Sequence, residues 1–452
     1  MPRVRILEPK SEIPRCYWRG VTCYAPTHAR SVLGASLGFP DGFPVSIVRA
    51  FLFCTILLLQ ACQQKYDPNR IVIWHQMRVD ERLILQDQLD QFMQAHPGIT
   101  VEQVYKETEE VRSGFIIAAI AGQGPDLVYG PSDMVGPFEV MGIIQPLEVL
   151  LDKEYLSRFT PEALTYYKGH LYQIADKIGN HLTLVYNKDI LTTPPLTDEE
   201  LIAIGQDLTS DLDGDGKVDR YGLTWNYTEP FFFIPFLTGF GGWVMTDEGI
   251  PTLNSQSMVD GLKFIRDLRD RYKIVPGEAD YNIADILFKD SKSAMIINGD
   301  WSWAGYQKAG INIGVVPLPK IIKTGLFCAP MISPKGFSLN TNVPEEKRPL
   351  VLKLLKFLME PELQLQTAAA LKTMPTRIEA LESPLVWNDE ILRNSALQIK
   401  QGRPMPVVPE LRAIWDSMRP GYQAVLGGAL TPEQAAQQMQ ELALTKIKEM
   451  NE

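Results

Sequence analysis

The sequence predicts an α/β protein built on parallel sheet and divided into two or three domains. Three observations carry that prediction. Short apolar strands alternate with amphipathic helices from residue 71 to 129. The pattern changes character after about residue 178. Once an apolar leader ending at residue 61 is set aside, 391 residues remain, more than one core of ordinary size takes up.

The leader comes first. Residues 50–59 (AFLFCTILLL) run into Gln60, Ala61 and Cys62. A bilayer span needs about 20 apolar residues, whereas this run has the length of a signal-peptide apolar core. Arg49 supplies the basic flank, and Cys62 is the residue that would carry lipid. The segment therefore reads as a bacterial lipoprotein signal, with the mature chain starting at Cys62 and tethered outside the cytoplasmic membrane, in a periplasm or on a cell surface. A buried strand or helix is the competing reading. Residues 1–45, with Cys16, Cys23 and no clear periodicity, precede a segment that ought to open a chain, so translation is expected to begin near Val45.

In the mature part, residues 71–74 form an apolar strand. Residues 82–94 carry Leu85, Leu89, Phe92 and Met93 at helical spacing and stop at Pro97-Gly98. Residues 99–104 alternate as a strand, 107–121 are helical, Gly122–Asp126 (GQGPD) breaks the helix, and 127–129 is the third strand. Strand, helix, strand, helix, strand with short links is a parallel unit. Ligands of such sheets lie beyond the carboxyl ends of the strands, which sets Trp74 to Arg78, Gln76 included, and residues 130–134 on one rim. Further on, strands are expected at 182–186, 221–225, 294–297, 314–317 and 336–339, and helices at 197–208, 229–240, 258–271 and 349–359. Thr431, Pro432 and Gln434 mark the start of a last helix with a capping box.

Composition excludes several functions. Residues 1–61 hold seven Lys/Arg and three Asp/Glu, so the remainder carries 37 basic against 51 acidic side chains. That acidic balance argues against nucleic acid and against broad contact with anionic lipid. Only Cys62 and Cys328 survive processing, which leaves no internal disulfide and no Cys-based metal cluster; Cys328 reads as a buried small residue. HExxH, P-loop, GxGxxG and GxSxG patterns are absent. No cofactor is expected. One exception is the loop Asp211, Asp213, Asp215, Asp219, with Gly at the sixth position, which has the spacing of an EF-hand calcium loop. Gly222 stands where the bidentate Glu belongs, so the loop is either a structural calcium site or an acidic Asp-Gly turn.

Aromatic residues cluster beside single polar ones. Trp301 and Trp303 follow a strand on a Gly-containing turn, Glu229 precedes Phe231, Tyr281 lies before another helix, and Trp415 and Arg419 share a helix face. Flat rings suit the C–H faces of a sugar, while carboxylates, amides and guanidinium suit its hydroxyl rim; ligand sites combine apolar lining with a few placed polar groups.

The order and spacing of residues 71–74, 122–126 (GQGPD), 186–189 (YNKD), Glu229-Pro230, Asp280-Tyr281, 294–303 (AMIINGDWSW) and Trp415 with Arg419 are similar to those of the extracellular solute-binding proteins of ABC importers. The chain most resembles the maltose/maltodextrin-binding proteins, over roughly residues 70–450. The resemblance implies a two-lobed periplasmic-binding fold of type II with three crossovers and a ligand cleft between the lobes. The first lobe would take 70–178 plus 329–384, and the second 179–328 plus 385–452. Hinge closure on the ligand would be read by the permease subunits, with the receptor acting as a monomer. Trp301, Tyr281 and Trp415 look like the stacking platform, with Phe231 in place of a Tyr. Glu229 and Asp133 look like rim acceptors, and Arg419 like a donor or a support for Trp415. The departures sit mainly in the first lobe. An Asp-Lys pair is replaced by Gln76-Met77-Arg78-Val79, a hinge-side Glu by Asn180, an Arg by Met134 and a Trp by Gly130. A disaccharide or modified glycoside therefore fits better than a long maltodextrin.

Three other readings stay open on the sequence. A non-sugar solute such as a peptide, polyamine or anion is one; anions would call on Arg78 and Arg419. A glycoside hydrolase would use Glu229 and Asp133 as its two carboxylates, roughly 5–10 Å apart. A purely structural lipoprotein would bind nothing. The expectation is a binding protein, not an enzyme.

Overall fold

The computed structural model describes residues 67–452. The expected signal segment, the expected start near Val45 and the expected lipidation at Cys62 lie outside the described residues.

β1 (Arg70–His75), the helix Val79–Ala95, β2 (Thr100–Tyr105), the helix Thr108–Ile120 and β3 (Leu127–Pro131) form the α/β unit anticipated from periodicity. β1 lies at its centre, parallel to β2 and β3. Parallel neighbours need a crossover connection, which the two helices supply. A hairpin follows, β4 (Leu164–Tyr167) and β5 (His170–Ile178), closed by Lys168 and Gly169 with φ of 49° and 84°. Two consecutive positive φ values are the type I′ geometry that Asn-Gly usually signals; here Lys-Gly adopts it, a pair that carries a weaker turn signal. The strand Lys335–Leu339 inserts antiparallel between β3 and β5, and Met374–Pro375 lines the outer edge of β5. The result is a seven-stranded mixed sheet.

A second sheet takes β6 (Leu182–Asn187), β7 (Tyr221–Thr224), β8 (Ser293–Gly299) and β9 (Ile313–Val316) in the order β7-β8-β6-β9. Every residue of β6 and β8 is buried, so these strands are covered on both faces and read as apolar runs. Helices Gln256–Asp270, Glu410–Leu426 and Pro432–Asn451 pack together beside it. The last opens on the anticipated capping box: Gln434 N–H donates to Thr431 Oγ1, and Thr431 N–H to Gln434 Oε1.

The chain passes between the two sheets three times: from β5 to β6, from Met331–Ile332 to Lys335–Leu339, and from Met374–Pro375 to Glu390–Gln401. Two main cores result. One gathers Ile71, Leu89, Leu127, Phe337 and Leu355, the other Leu184, Trp225, Leu262, Ile297 and Ile414. The architecture is thus the two-lobed α/β fold with three crossovers. No helix among the described residues is long and apolar enough to cross a membrane.

Two local expectations need correcting. The helix anticipated at 229–240 is a 3-10 turn, Pro230–Phe233, followed by a short helix, Ile234–Gly239. Pro235 lacks the N–H that would continue one α-helical ladder through both parts. Tyr281 is the first residue of the helix Tyr281–Lys289 rather than part of the loop before it, because Asp280 caps that helix by accepting from Ile283 N–H.

Candidate ligand-binding cleft

The carboxyl rim of the first sheet faces the aromatic wall of the second across a cavity of about 420 Å³. Its lining includes ten of the twelve residues the sequence singled out for a ligand: Gln76, Arg78, Asp133, Asn180, Glu229, Phe231, Tyr281, Trp301, Trp415 and Arg419.

The wall is built on glycine and hydrogen bonds. The benzo ring of Trp301 lies flat over Gly299, where an added Cβ would meet three ring carbons at 2.1, 2.2 and 2.5 Å. Trp301 Nε1–H donates to Tyr281 Oη at 3.0 Å, and Phe231 sits 6.3 Å from Trp301, centroid to centroid. Trp415 is 7% exposed on the helix Glu410–Leu426. One turn on, Arg419 donates from Nε and a terminal nitrogen to the two Glu229 oxygens at 3.2 and 3.1 Å, and to Asp416 at 3.2 Å. Arg419 thus reaches the rim as the holder of Glu229.

The opposite side is polar and buried. Asp133 is 6% exposed, and its Oδ2 accepts from Arg112 at 2.6 Å. Among the described residues its Oδ1 has no partner, nor do Arg112 Nε and Gln76 Oε1, although all three atoms are buried. Burial works against the Arg112 charge, but Asp133, Glu109 and Asp416 outweigh it and raise its pKa. Beneath Gln76, His75 Nδ1 accepts from Met77 N–H at 3.2 Å, and burial lowers the imidazole to about 4, so the ring stays neutral and fixes the turn that aims Gln76. Glu81 pairs with Lys177 and accepts from Arg78 N–H. Burial alone would raise Glu81, yet Lys177, Lys335 and that amide hold it at about 2. Asn180, at φ 44°, donates its N–H to Asp300 at 3.2 Å where β5 passes into β6.

Charged contacts join the two sides. The Arg78 guanidinium lies 4.6 Å from the Tyr281 ring centroid and Lys335 Nζ 5.2 Å from that of Trp301. At the surface Arg412 pairs with Glu109 and Lys308 with Asp80. What remains accessible is a cavity with flat rings on one wall and orphaned polar atoms on the other.

A sequence profile of bacterial extracellular solute-binding proteins matches residues 87–394, well over half of the chain. The chain belongs to that family. Its fold and sequence are maltodextrin-binding-protein-like. It is 28% identical over 369 residues to the maltotriose-binding protein of Pyrococcus abyssi, covering 79% of this chain and 78% of that one. It is 25% identical over 339 residues to a maltooligosaccharide ABC transporter solute-binding lipoprotein of Streptococcus pneumoniae, covering 73% and 77%. Among solved structures, the maltose/maltodextrin-binding domain of Bdellovibrio bacteriovorus bound to maltotriose matches with 48% identity and a TM-score of 0.81, over 84% of this chain and all of that one.

Against this family background, two of the twelve residues are corrected. Trp303 is fully buried, edge-on to His181 at 5.9 Å, and does not line the cavity. It opens the helix Trp303–Lys308, which turns it into the core while Trp301 stays outside. Trp74 does not line the cavity either. β1 continues to His75, so Trp74 still alternates within the strand, on the face covered by the helix Thr108–Ile120 and under Lys106 Nζ at 4.7 Å. The shared GQGPD stretch is structural. Asp126 accepts from Val72 N–H at 2.8 Å and pairs with Lys347 at 2.7 Å.

Lys335, Arg112, Asn226 and Thr228 are among the polar lining residues that escaped the sequence reading. A signal existed for Lys335. An antiparallel return strand begins at the rim where its parallel neighbours end, and Lys335 is registered against Pro131, the last residue of β3. Arg112 gave none, since a cation on a polar helix face is ordinary.

The Asp-rich loop lies away from the cleft lining. Carboxylate oxygens of Asp211, Asp213 and Asp215 fall within 4.8 Å of one another. Asp219 instead accepts from Leu212 and Asp213 N–H, and Asp211 from Gly214 and Gly216 N–H. A melting curve with and without added calcium decides its role: a calcium site raises the midpoint, and an unchanged midpoint leaves an Asp-Gly turn closed by its own backbone. Cys328 is buried and unpaired, and burial raises its thiol pKa.

Proposed function

We propose that this chain is a lipid-anchored extracytoplasmic receptor that binds a short oligosaccharide in the cleft and hands it to an ABC importer by hinge closure. The observation that carries the reading is the division of chemistry across one cavity. Phe231, Tyr281, Trp301 and Trp415 offer flat apolar faces, while Gln76 Oε1, Asp133 Oδ1 and Arg112 Nε lie opposite, buried and without partners among the described residues. An unpaired buried polar atom costs about 1–3 kcal/mol. Sugar hydroxyls supply both the donors that the two oxygens lack and the acceptor that the guanidinium lacks. A cavity of about 420 Å³ lies in the range of small-molecule sites.

The relatives support a malto-oligosaccharide: one matched protein is a maltotriose-binding protein, another is bound to maltotriose, and the streptococcal one is a lipoprotein of an ABC transporter. Tethering through Cys62, action as a monomer and recognition of the closed form by permease subunits complete the proposal.

The hydrolase alternative finds less support. Asp133 is committed to Arg112 and Glu229 to Arg419, whereas glycoside hydrolysis needs one of its two carboxyls protonated, as the acid. Calorimetric titration with maltose, maltotriose and maltotetraose tests the reading. Saturable binding with a change in tryptophan fluorescence is expected; no binding to any of them, with uptake of a non-sugar solute, overturns it. In the same assay Glu229→Gln weakens the best sugar by about 1–3 kcal/mol, because it removes a charged acceptor and frees Arg419.

A further inference from the structure

Lys335 is the least accounted-for charge in the cleft. It begins the return strand at the sheet rim and lines the cavity, and its Nζ makes no hydrogen bond or ion pair with any described residue. The nearby carboxylate, Glu81, feels the Lys335 charge but commits its two oxygens to Lys177 and the Arg78 amide. Asp300 accepts from Asn180 N–H. The contact Lys335 does make is with Trp301, 5.2 Å from ammonium to ring centroid. Gly299 backbone fills one face of that indole, so Lys335 stands over the face left open to the cavity.

We propose that Lys335 is a ligand-contacting, specificity-determining residue whose ammonium guards the open face of Trp301 in the empty cleft and donates to the hydroxyls of the sugar unit that stacks there. The inference rests on the sugar reading and deepens it. A sugar ring on that face moves the ammonium from the π cloud to the sugar's rim. A weak cation–π contact is exchanged for charge-assisted hydrogen bonds, which are the stronger kind. A lysine already satisfied by a carboxylate would lose as much as it gained; this one has no such partner to give up.

Its surroundings make the contact sensitive to pH. Burial lowers the Lys335 pKa; Glu81 and Asp300 push it up, while Lys177 and Arg78 push it further down, and the net shift is below the ordinary lysine value. The ammonium is the stronger donor, so affinity is full at neutral pH and falls as pH rises through that lowered pKa.

The test is calorimetric titration of the chain with maltotriose at several pH values from neutrality upward, for wild type, Lys335→Met and Lys335→Arg. Expected are wild-type binding that weakens with rising pH, a loss of about ten- to a hundredfold for Lys335→Met at neutral pH, and a profile for Lys335→Arg without the alkaline loss, since guanidinium stays charged. A merely structural lysine would not change the pH profile. Wild type that binds maltotriose, with Lys335→Met matching it in affinity and in pH profile, overturns the contact and leaves the sugar reading standing. Wild type that binds no oligosaccharide overturns the sugar reading and this contact with it. Should Lys335→Met fail to fold, as judged by circular dichroism, the wild-type and Lys335→Arg profiles decide: parallel alkaline losses in both overturn the proposal.

Discussion

Trp301→Ala weakens maltotriose binding by about 2–4 kcal/mol, the range of an aromatic anchor at the centre of an interface, or between about thirtyfold and several hundredfold in Kd. The indole is rigid before the ligand arrives. Its benzo ring rests on Gly299, Nε1–H is held by Tyr281, and Phe231 flanks it. A stacking surface that needs no ordering on binding delivers its contact energy at little entropic cost. Removing it also releases Tyr281 and leaves Lys335 without its ring. The tryptophan fluorescence change on binding shrinks with it, leaving the part that Trp415 reports. Trp303→Phe is the matched control: it alters a buried ring two residues away that does not line the cavity, so it lowers the melting temperature while Kd holds. Titration calorimetry on both variants checks the pair, and an unchanged Kd for Trp301→Ala removes the indole from the site.

Lys347→Met lowers the unfolding free energy by about 3–5 kcal/mol, as expected when one member of a buried ion pair is removed. Asp126 and Lys347 are each about nine-tenths buried and meet at 2.7 Å. Asp126 also anchors Val72 of β1, while its carbonyl accepts from Asn340 N–H. Stripped of Lys347, the carboxylate is left buried with only one amide to satisfy it. The double variant Lys347→Met with Asp126→Asn recovers most of the loss, because a neutral amide keeps the Val72 contact without a buried charge. Urea titration of the two variants measures this. A single-variant loss below about 1 kcal/mol would contradict a desolvated pair, since that is what exposed pairs yield.

Periodicity made the first α/β unit legible because its helices are amphipathic and its strands continuous, as with Leu85, Leu89 and Phe92 on the helix after β1. The aromatic wall was legible for a different reason: Phe231, Tyr281 and Trp301 accompany polar or Gly residues near an element end, and Trp415 shares a helix face with Arg419. Adjacency could not separate Trp301 from Trp303. The turn at residues 300–302 decides which indole faces out, and a turn's outcome depends on what packs on either side. Trp74 was misjudged by a single position of strand, enough to flip a side chain to the opposite face of a sheet. Lys335 and Arg112 stayed hidden because a charge acquires meaning only from its partners. One owes its interest to lacking them; the other owes it to a carboxylate 21 residues away.

The most direct measurement is a crystal structure of the chain with maltotriose. The expected result is glucose rings against Trp301 and Trp415, with hydroxyls donating to Gln76 Oε1 and Asp133 Oδ1. A sugar seated outside the cavity, or one seated inside it that leaves both oxygens without partners, would contradict the division of labour proposed for the cleft.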